Sequence, residues 1–298
     1  MYDTTKIVKY LKEPPKEVIN QVREPFFWNN MLWLPRFHPN GFVNSYYVKL
    51  ENLYFSLRGS ELTITNSLQK FYMGNNYEAF TFSDVQKAVK QLDNFFNFSI
   101  YDSEVKNTSV AVVIKENEDN TFNNWLEYKG NKPFIMRKNA KVYGAHFKST
   151  DYNIKGYDKT YQTKTVDNIT LKENFIRFEL EGKARYFNNR KDNLGIYKVS
   201  DLVDKTKFDA LANELLKVYD TIKKQPIIEY QNLLPKEIRL LATMSNKDCF
   251  NGLRKHHKET FKKDRIVYAK LLKRIEDSSL ENEIRTKIKN QISYCQNN

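Results

Sequence analysis

The chain has 298 residues, of which 40% are hydrophobic and 14% aromatic, with a net charge of +13 and a pI near 9.4. That is enough apolar material for one large or two modest domains, and the charge biases partners toward polyanions: nucleic acid, an anionic membrane surface or an acidic protein. No run of about 18 apolar residues occurs, which excludes a spanning helix, and no signal-type pattern opens the chain, so a cytoplasmic protein is expected.

The first forty residues carry Pro14, Pro15, Pro25, Pro35 and Pro39, which break long helices. A strand, a turn and a short helix near 15–23 are expected, with the aromatics at 26–33 read as core packing or, alternatively, as a base-stacking surface. Phe42–Leu50, Leu53–Leu57 and Leu62–Thr65 are rich in aromatic and β-branched residues and predict an antiparallel meander. Ser83 and Gln86 form a capping-box pattern, followed by Val85, Ala88, Val89, Leu92 and Phe96 on one helical face. Ser109–Ile114 is nearly continuous in apolar residues, as in a strand buried on both faces. Residues 115–140 are polar and predict a short helix around Trp125 and a loop. The sheet resumes over 141–157 and 174–183.

The stretch 151–181 carries the candidate chemistry. Asp151–Tyr157 and Phe175–Glu181 both alternate at period two. In the second run Phe175, Arg177, Glu179 and Glu181 share one face, and Ile176, Phe178 and Leu180 the other. Paired, the two strands would gather a tyrosine hydroxyl, a lysine and two carboxylates. A phenol beside a cation, next to acids able to hold a divalent metal, suits phosphodiester cleavage. An amphipathic hairpin with a solvated polar face fits the same pattern.

After Ser200 the character changes. Phe208, Leu211, Leu215, Leu216, Tyr219 and Ile222 recur at helical spacing over 206–224. From Pro235 helices are expected near 235–244, 246–260, 263–276 and 278–292, with no strand. Residues 235–298 hold 15 Lys plus Arg against 8 Asp plus Glu, a balance of +7. The densest parts contain Arg254, Lys255, Lys258, Lys262, Lys263 and Arg265, read either as a solvated helix face or as a grip on a phosphate backbone. Cys249 and Cys295 lie in no C-x-x-C, and His38, His146, His256 and His257 in no His-x-His or HExxH spacing, so a thiolate zinc site or a two-histidine metal motif is not expected.

Several segments, in order, resemble the replication initiation proteins of single-stranded-DNA phages and rolling-circle plasmids, of the filamentous-phage gene II type. They are Thr65–Tyr72 with Gly74–Tyr77, Tyr128–Pro133, Ile154–Lys159 with Gln162, and Ile176–Leu180 with Ala184–Tyr186. The resemblance spans about residues 60–205 and implies a rolling-circle initiator, an endonuclease of a bacterial host cell's cytoplasm. Such an enzyme nicks and rejoins one DNA strand at the origin through a 5′-phosphotyrosyl intermediate, aided by Mg²⁺ or Mn²⁺. Tyr157 matches the family's nucleophile, Lys159 its lysine, and Arg177 and Glu179 its Arg-Phe-Glu strand; Tyr161 is the second candidate nucleophile. Glu179, Glu181 and Asp158 are the candidate metal ligands. Arg177 and Arg185, with the six basic residues of 254–265, are the candidate DNA contacts. The partners implied are DNA, single-stranded or origin duplex, and a host helicase. The sequence departs from the pattern at Ser109 or Ala111, where relatives carry an acid, and at Gln162, where some carry Glu; Glu181, Asp158 or His146 are the candidates to compensate.

The expected architecture is α+β, a central, mainly antiparallel sheet with helices packed on one face, then a helical, basic C-terminal region. The expected division is 1–205 for the initiator domain and 206–298 for the DNA-binding region. Besides the nickase, two readings stay open: a non-catalytic DNA-binding protein with a decayed site, and a basic protein-interaction module.

Overall fold

The computed structural model describes residues 1–116, 122, 124–138, 141–188, 194–224, 230–277 and 280–298. The strands are β1 (Tyr2–Tyr10), β2 (Phe26–Trp28), β3 (Met31–Phe37), β4 (Val43–Leu50), β5 (Leu53–Arg58), β6 (Glu61–Ser67), β7 (Glu104–Lys115), β8 (Trp125–Glu127), β9 (Phe134–Lys138), β10 (Lys141–Lys148), β11 (Tyr152–Asp158), β12 (Phe175–Lys183) and β13 (Lys223–Lys224). The helices are α1 (Lys16–Ile19), α2 (Leu68–Met73), α3 (Phe82–Asp93), α4 (Lys159–Gln162), α5 (Ala184–Asn188), α6 (Val199–Leu202), α7 (Lys205–Thr221), α8 (Pro235–Ser245), α9 (Lys247–His256), α10 (Lys258–Asp277) and α11 (Leu280–Asn297).

Eleven strands form one sheet in the order β2-β3-β4-β5-β6-β1-β7-β12-β11-β10-β9, with antiparallel neighbours throughout. The fold is therefore α+β around a large antiparallel sheet, followed by a helical C-terminal region. Two compact units divide it: Met1–Lys223 with Ile288–Asn298, and Lys224–Lys287. Helix α7, where the change of character at 206 was expected, belongs to the first unit.

Alternation decides the two faces of the sheet. On β12 the apolar set Ile176, Phe178 and Leu180 is buried, and Tyr219 of α7 meets Phe178 edge-on at 5.1 Å. Tyr2 of β1 meets Phe208 of α7 at 5.5 Å, so the same helix crosses the centre of the sheet. Such pairs add about 0.5–1.5 kcal/mol each beyond their buried area. Helix α3 buries Val85, Ala88, Val89 and Leu92 as its spacing predicts. β7 is buried on nearly every residue from Thr108 to Ile114.

Two local expectations are corrected. The cap of α3 is Thr81, not Ser83: the Thr81 hydroxyl accepts from the Asp84 amide at 3.2 Å while the Asp84 carboxylate accepts from the Thr81 amide at 3.1 Å. Asp84 serves as the third residue of that box, so the helix starts two residues earlier than the Ser83–Gln86 pattern suggested. Trp125, expected on a helix, lies on β8, where its ring stacks on Phe147 at 5.8 Å and packs against Phe178. The large aromatic surface is better buried flat against the sheet than on one turn of polar helix.

The second unit holds α8, α9 and α10. Its core is Leu241, Leu271 and Ile275, flanked by Leu233, Leu240, Tyr268 and Leu272. Among the described residues no helix is long and apolar enough to cross a membrane.

Candidate active site

β11 and β12 pair with Tyr157 opposite Arg177, Lys155 opposite Glu179 and Asn153 opposite Glu181. Directly opposed residues share a face, so these six side chains occupy the polar face of the sheet. The Tyr157 hydroxyl donates to Glu179 Oε2 at 3.3 Å. Arg177 Nε donates to the same oxygen at 3.4 Å, its Nη2 to Asp3 Oδ2 at 2.6 Å, and its Nη1 to the Asn76 carbonyl at 2.7 Å. Asp3 also accepts from the Ser67 hydroxyl. Glycine is needed at 144 because a Cβ there would lie 2.6 Å from the Gly156 carbonyl and 2.7 Å from the Tyr157 Cβ.

These groups line a cleft of about 850 Å³. Asp3, Ser67, Asn76, Lys155, Tyr157 and Glu179 form its inner wall, and Lys70, Arg137, Lys138, Tyr143, Tyr161 and Gln162 line it further. Tyr161 sits 5.3 Å from Tyr143 ring to ring, with the Lys138 ammonium 5.7 Å from its own ring. The cleft thus combines three tyrosines, two carboxylates and several cations.

The electrostatics follow from burial. Tyr157 is only 7% exposed, and desolvation pushes its phenol well above the usual tyrosine value; Arg177 opposes this and Glu179 adds to it. Burial works against the charge of Asp3, but Arg177 and Ser67 hold its carboxyl below the usual range. Burial, helped by Arg177 and Lys70, lowers Lys159 to about 8.

Three of the expected roles are changed by this geometry. Lys159 does not face the Tyr157 hydroxyl; its ammonium goes to Asn76 Oδ1 and Gln162 Oε1, both at 2.7 Å. β11 ends at Asp158, whose carboxylate accepts the Tyr161 amide at 2.8 Å and turns the chain into α4, so Lys159 leaves the strand alternation. That capping position also takes Asp158 out of the metal set: it pairs with Ile176, on the opposite face from Glu179 and Glu181. Arg177, expected to touch DNA, is 1% exposed and committed to Asp3 and Glu179.

The remaining expectations land as follows. Arg185 is exposed and ion-paired with Asp151. Arg254, Lys255, Lys258, Lys262, Lys263 and Arg265 are all exposed on α9 and α10 of the second unit, with Lys262 also 2.8 Å from Glu259. On β7, Ala111 faces Glu179 and Ser109 faces Glu181. Ser109 is fully buried and accepts the Thr4 amide at 2.9 Å, a bond that ties β1 to β7. A divalent ion at Glu179 and Glu181 would therefore find no third carboxylate from β7. Among the described residues no group of three or more His, Cys, Asp or Glu side chains is gathered as a metal requires. With Lys155 between them and no third acid from β7, Glu179 and Glu181 as folded do not fit a divalent metal.

Asp3, Asn76 and Lys155 were not singled out from the sequence. Lys155 was legible, two residues before Tyr157 on the same alternation. Asp3 lies far away along the chain and carried no local signal, and Asn76 lay within the resembling segment Gly74–Tyr77 without being assigned a role.

Comparison with family models gives no match, and no curated protein matches. Among solved structures, a rolling circle replication initiator protein from Geobacillus stearothermophilus is similar at 11% identity and a TM-score of 0.42, over 78% of this chain and 89% of that one. Neither figure is high enough to transfer residue roles.

Proposed function

We propose that the chain is a rolling-circle replication initiator that nicks and rejoins one DNA strand through a tyrosine. The observation that carries the reading is the Tyr157 hydroxyl donating to Glu179 in a cleft lined by Lys70, Arg137 and Lys138. The ordered sequence segments that resemble gene II-type initiators support it. In this scheme the Tyr157 oxygen attacks a backbone phosphorus while Glu179 takes the phenolic proton. The P–O3′ bond breaks, the phosphate stays on the tyrosine as a 5′-phosphotyrosyl ester, and the 3′ oxygen leaves as a hydroxyl after gaining a proton. A general base is required here because burial holds the phenol protonated at neutral pH. Rejoining is the reverse: a 3′ hydroxyl attacks the phosphorus of the phosphotyrosyl ester, losing its proton, and the P–O(Tyr157) bond breaks to expel the phenolate, which takes back a proton from Glu179. Lys70, Arg137 and Lys138 meet the phosphate backbone, and the exposed cations of α9 and α10 supply sequence-independent affinity.

A binding-only protein is the second reading, favoured by the burial of Tyr157 and the raised value of its phenol. One experiment separates the two. Purified chain is mixed with single-stranded oligonucleotides tiling the replicon that encodes it, with Mg²⁺ or Mn²⁺ and in parallel with EDTA, then run on a denaturing gel. The nicking reading expects a covalent adduct that Tyr157→Phe abolishes and Tyr161→Phe retains. An adduct lost only in Tyr161→Phe moves the nucleophile to α4. No adduct on any tile, with binding that weakens steeply as salt rises, leaves the binding-only protein.

A further inference from the structure

Lys155 occupies a defined place between Glu179 of the cleft wall and Glu181, two residues further along the same face of β12. Its ammonium lies 3.7 Å from Glu179 Oε1 and 3.2 Å from Glu181 Oε2. The outer oxygens of the same acids are also engaged: Glu179 Oε2 by Tyr157 and Arg177, Glu181 Oε1 by the Asn107 amide at 3.0 Å. Asn153 donates to Glu181 Oε2 at 3.1 Å, and His146, opposite Lys155 on β10, lies 3.3 Å from Asn153. The group is reachable by small ions, with 29% of the Lys155 side chain and 23% of that of Glu181 exposed.

Two carboxylates two residues apart on one strand face repel unless a cation sits between them. A divalent ion is one solution, since one or two carboxylates with waters filling the remaining positions suffice to hold it. An ammonium is the other, because its three N–H groups can serve both acids without a fixed shell. We propose that Lys155 is a built-in cation in the place that a divalent metal would take between Glu179 and Glu181, so that lysine and metal are mutually exclusive there. The absence of a β7 carboxylate at Ala111 and Ser109 fits the same logic: Lys155 and Arg177 already face Asp3, Glu179 and Glu181, and a further acid would add to the excess of negative charge. For strand cleavage the consequence, which rests on the nicking reading, is that adduct formation does not need a metal at these acids.

The test is a Mn²⁺ titration of the full chain without DNA, followed by electron paramagnetic resonance, with thermal melts to confirm folding. The wild type should show no saturable site. Lys155→Ala should gain one equivalent, at least about tenfold tighter than the wild-type limit, as removal of a charge within 4 Å of two acids allows. Lys155→Arg should keep the ion out, and Lys155→Ala with Glu181→Gln should lose the gain. Should Lys155→Ala not fold, Lys155→Gln takes its place. One tight Mn²⁺ in the wild type, lost in Glu181→Gln, overturns the proposal, as does a folded Lys155→Ala that gains nothing. The Mn²⁺ result stands whether or not an adduct forms, so failure of the nicking reading is seen separately.

Discussion

The two halves of the sheet follow one plan. Each starts with a central strand, β1 or β7, passes to its own edge, and returns strand by strand until its last member, β6 or β12, pairs with the first. Their apolar faces are alike, with Leu53, Phe55, Leu57, Leu62 and Ile64 buried in one half and Ile154, Ile176, Phe178 and Leu180 in the other. Their polar faces differ. Around β5 and β6 that face carries Tyr54, Ser56, Thr63 and Thr65, with Arg36 of β3 stacked 5.3 Å over Tyr47 and 5.6 Å over Tyr54. Around β11 and β12 it carries Tyr157, Lys155, Arg177, Glu179 and Glu181. The same topology thus carries a largely uncharged strand face on one side and the charged strand face of the cleft on the other, with Asp3, Ser67, Lys70 and Asn76 of the first half completing the cleft wall. What separates them is whether neighbouring strands bring compensating charges into register, because an acid or base buried alone would be too costly to keep.

The sharpest way to break this comparison is to remove the central cation. Arg177→Met should cost about 3–5 kcal/mol in urea unfolding, since Asp3 and Glu179 would be left buried without their partner. If it costs less than about 1 kcal/mol, the network is not the organising feature of that half.

Next in size is a pH effect confined to the same half. An unfolded lysine keeps its proton to about 10.5, whereas folded Lys159 loses it above about 8. Between those values the unfolded state binds more protons, so this group makes stability rise with pH. The rise should be on the order of 2 kcal/mol from pH 8 to pH 10. Above that range the raised Tyr157 acts in the other direction, because the unfolded phenol ionises first. Lys159→Met should flatten the rise in chemical-denaturation midpoints, and an unchanged slope would place the titration elsewhere.

The smallest effect is expected from the largely uncharged strand face. Thr65 on β6 donates to the Tyr54 carbonyl at 3.3 Å and touches no charge in the cleft network. Thr65→Val should cost about 1 kcal/mol or less, on thermal melts, and leave DNA binding unchanged. A larger loss would show that the polar face of the first half is more than scaffold.

Much of the fold was legible because it rests on local alternation. Period two in 151–157 and 175–181 placed Tyr157, Arg177, Glu179 and Glu181 on one face, and the structure keeps them there. The meander over 42–66 and the helix at α7 followed from their apolar spacing in the same way. The roles expected of Lys159 and Asp158 came from the resemblance and not from alternation, and both residues lie where the strand ends and Asp158 caps α4. No repeat was visible in the sequence although the two halves share a plan, since strand order constrains hydrophobic pattern but not residue identity.

By itself, then, the sequence determined which residues could face a common cleft and how basic the helical C-terminal region would be. Those properties depend on side-chain period and charge, which are local. Only the tertiary structure decided that Asp3 and Asn76 enclose Arg177, that Asp158 leaves the metal set, and that Lys155 stands between Glu179 and Glu181. Each of these depends on which distant strand or loop comes to lie alongside. Sheet register across 174 residues, as between Asp3 and Arg177, is fixed by packing of the whole core rather than by any neighbouring residue.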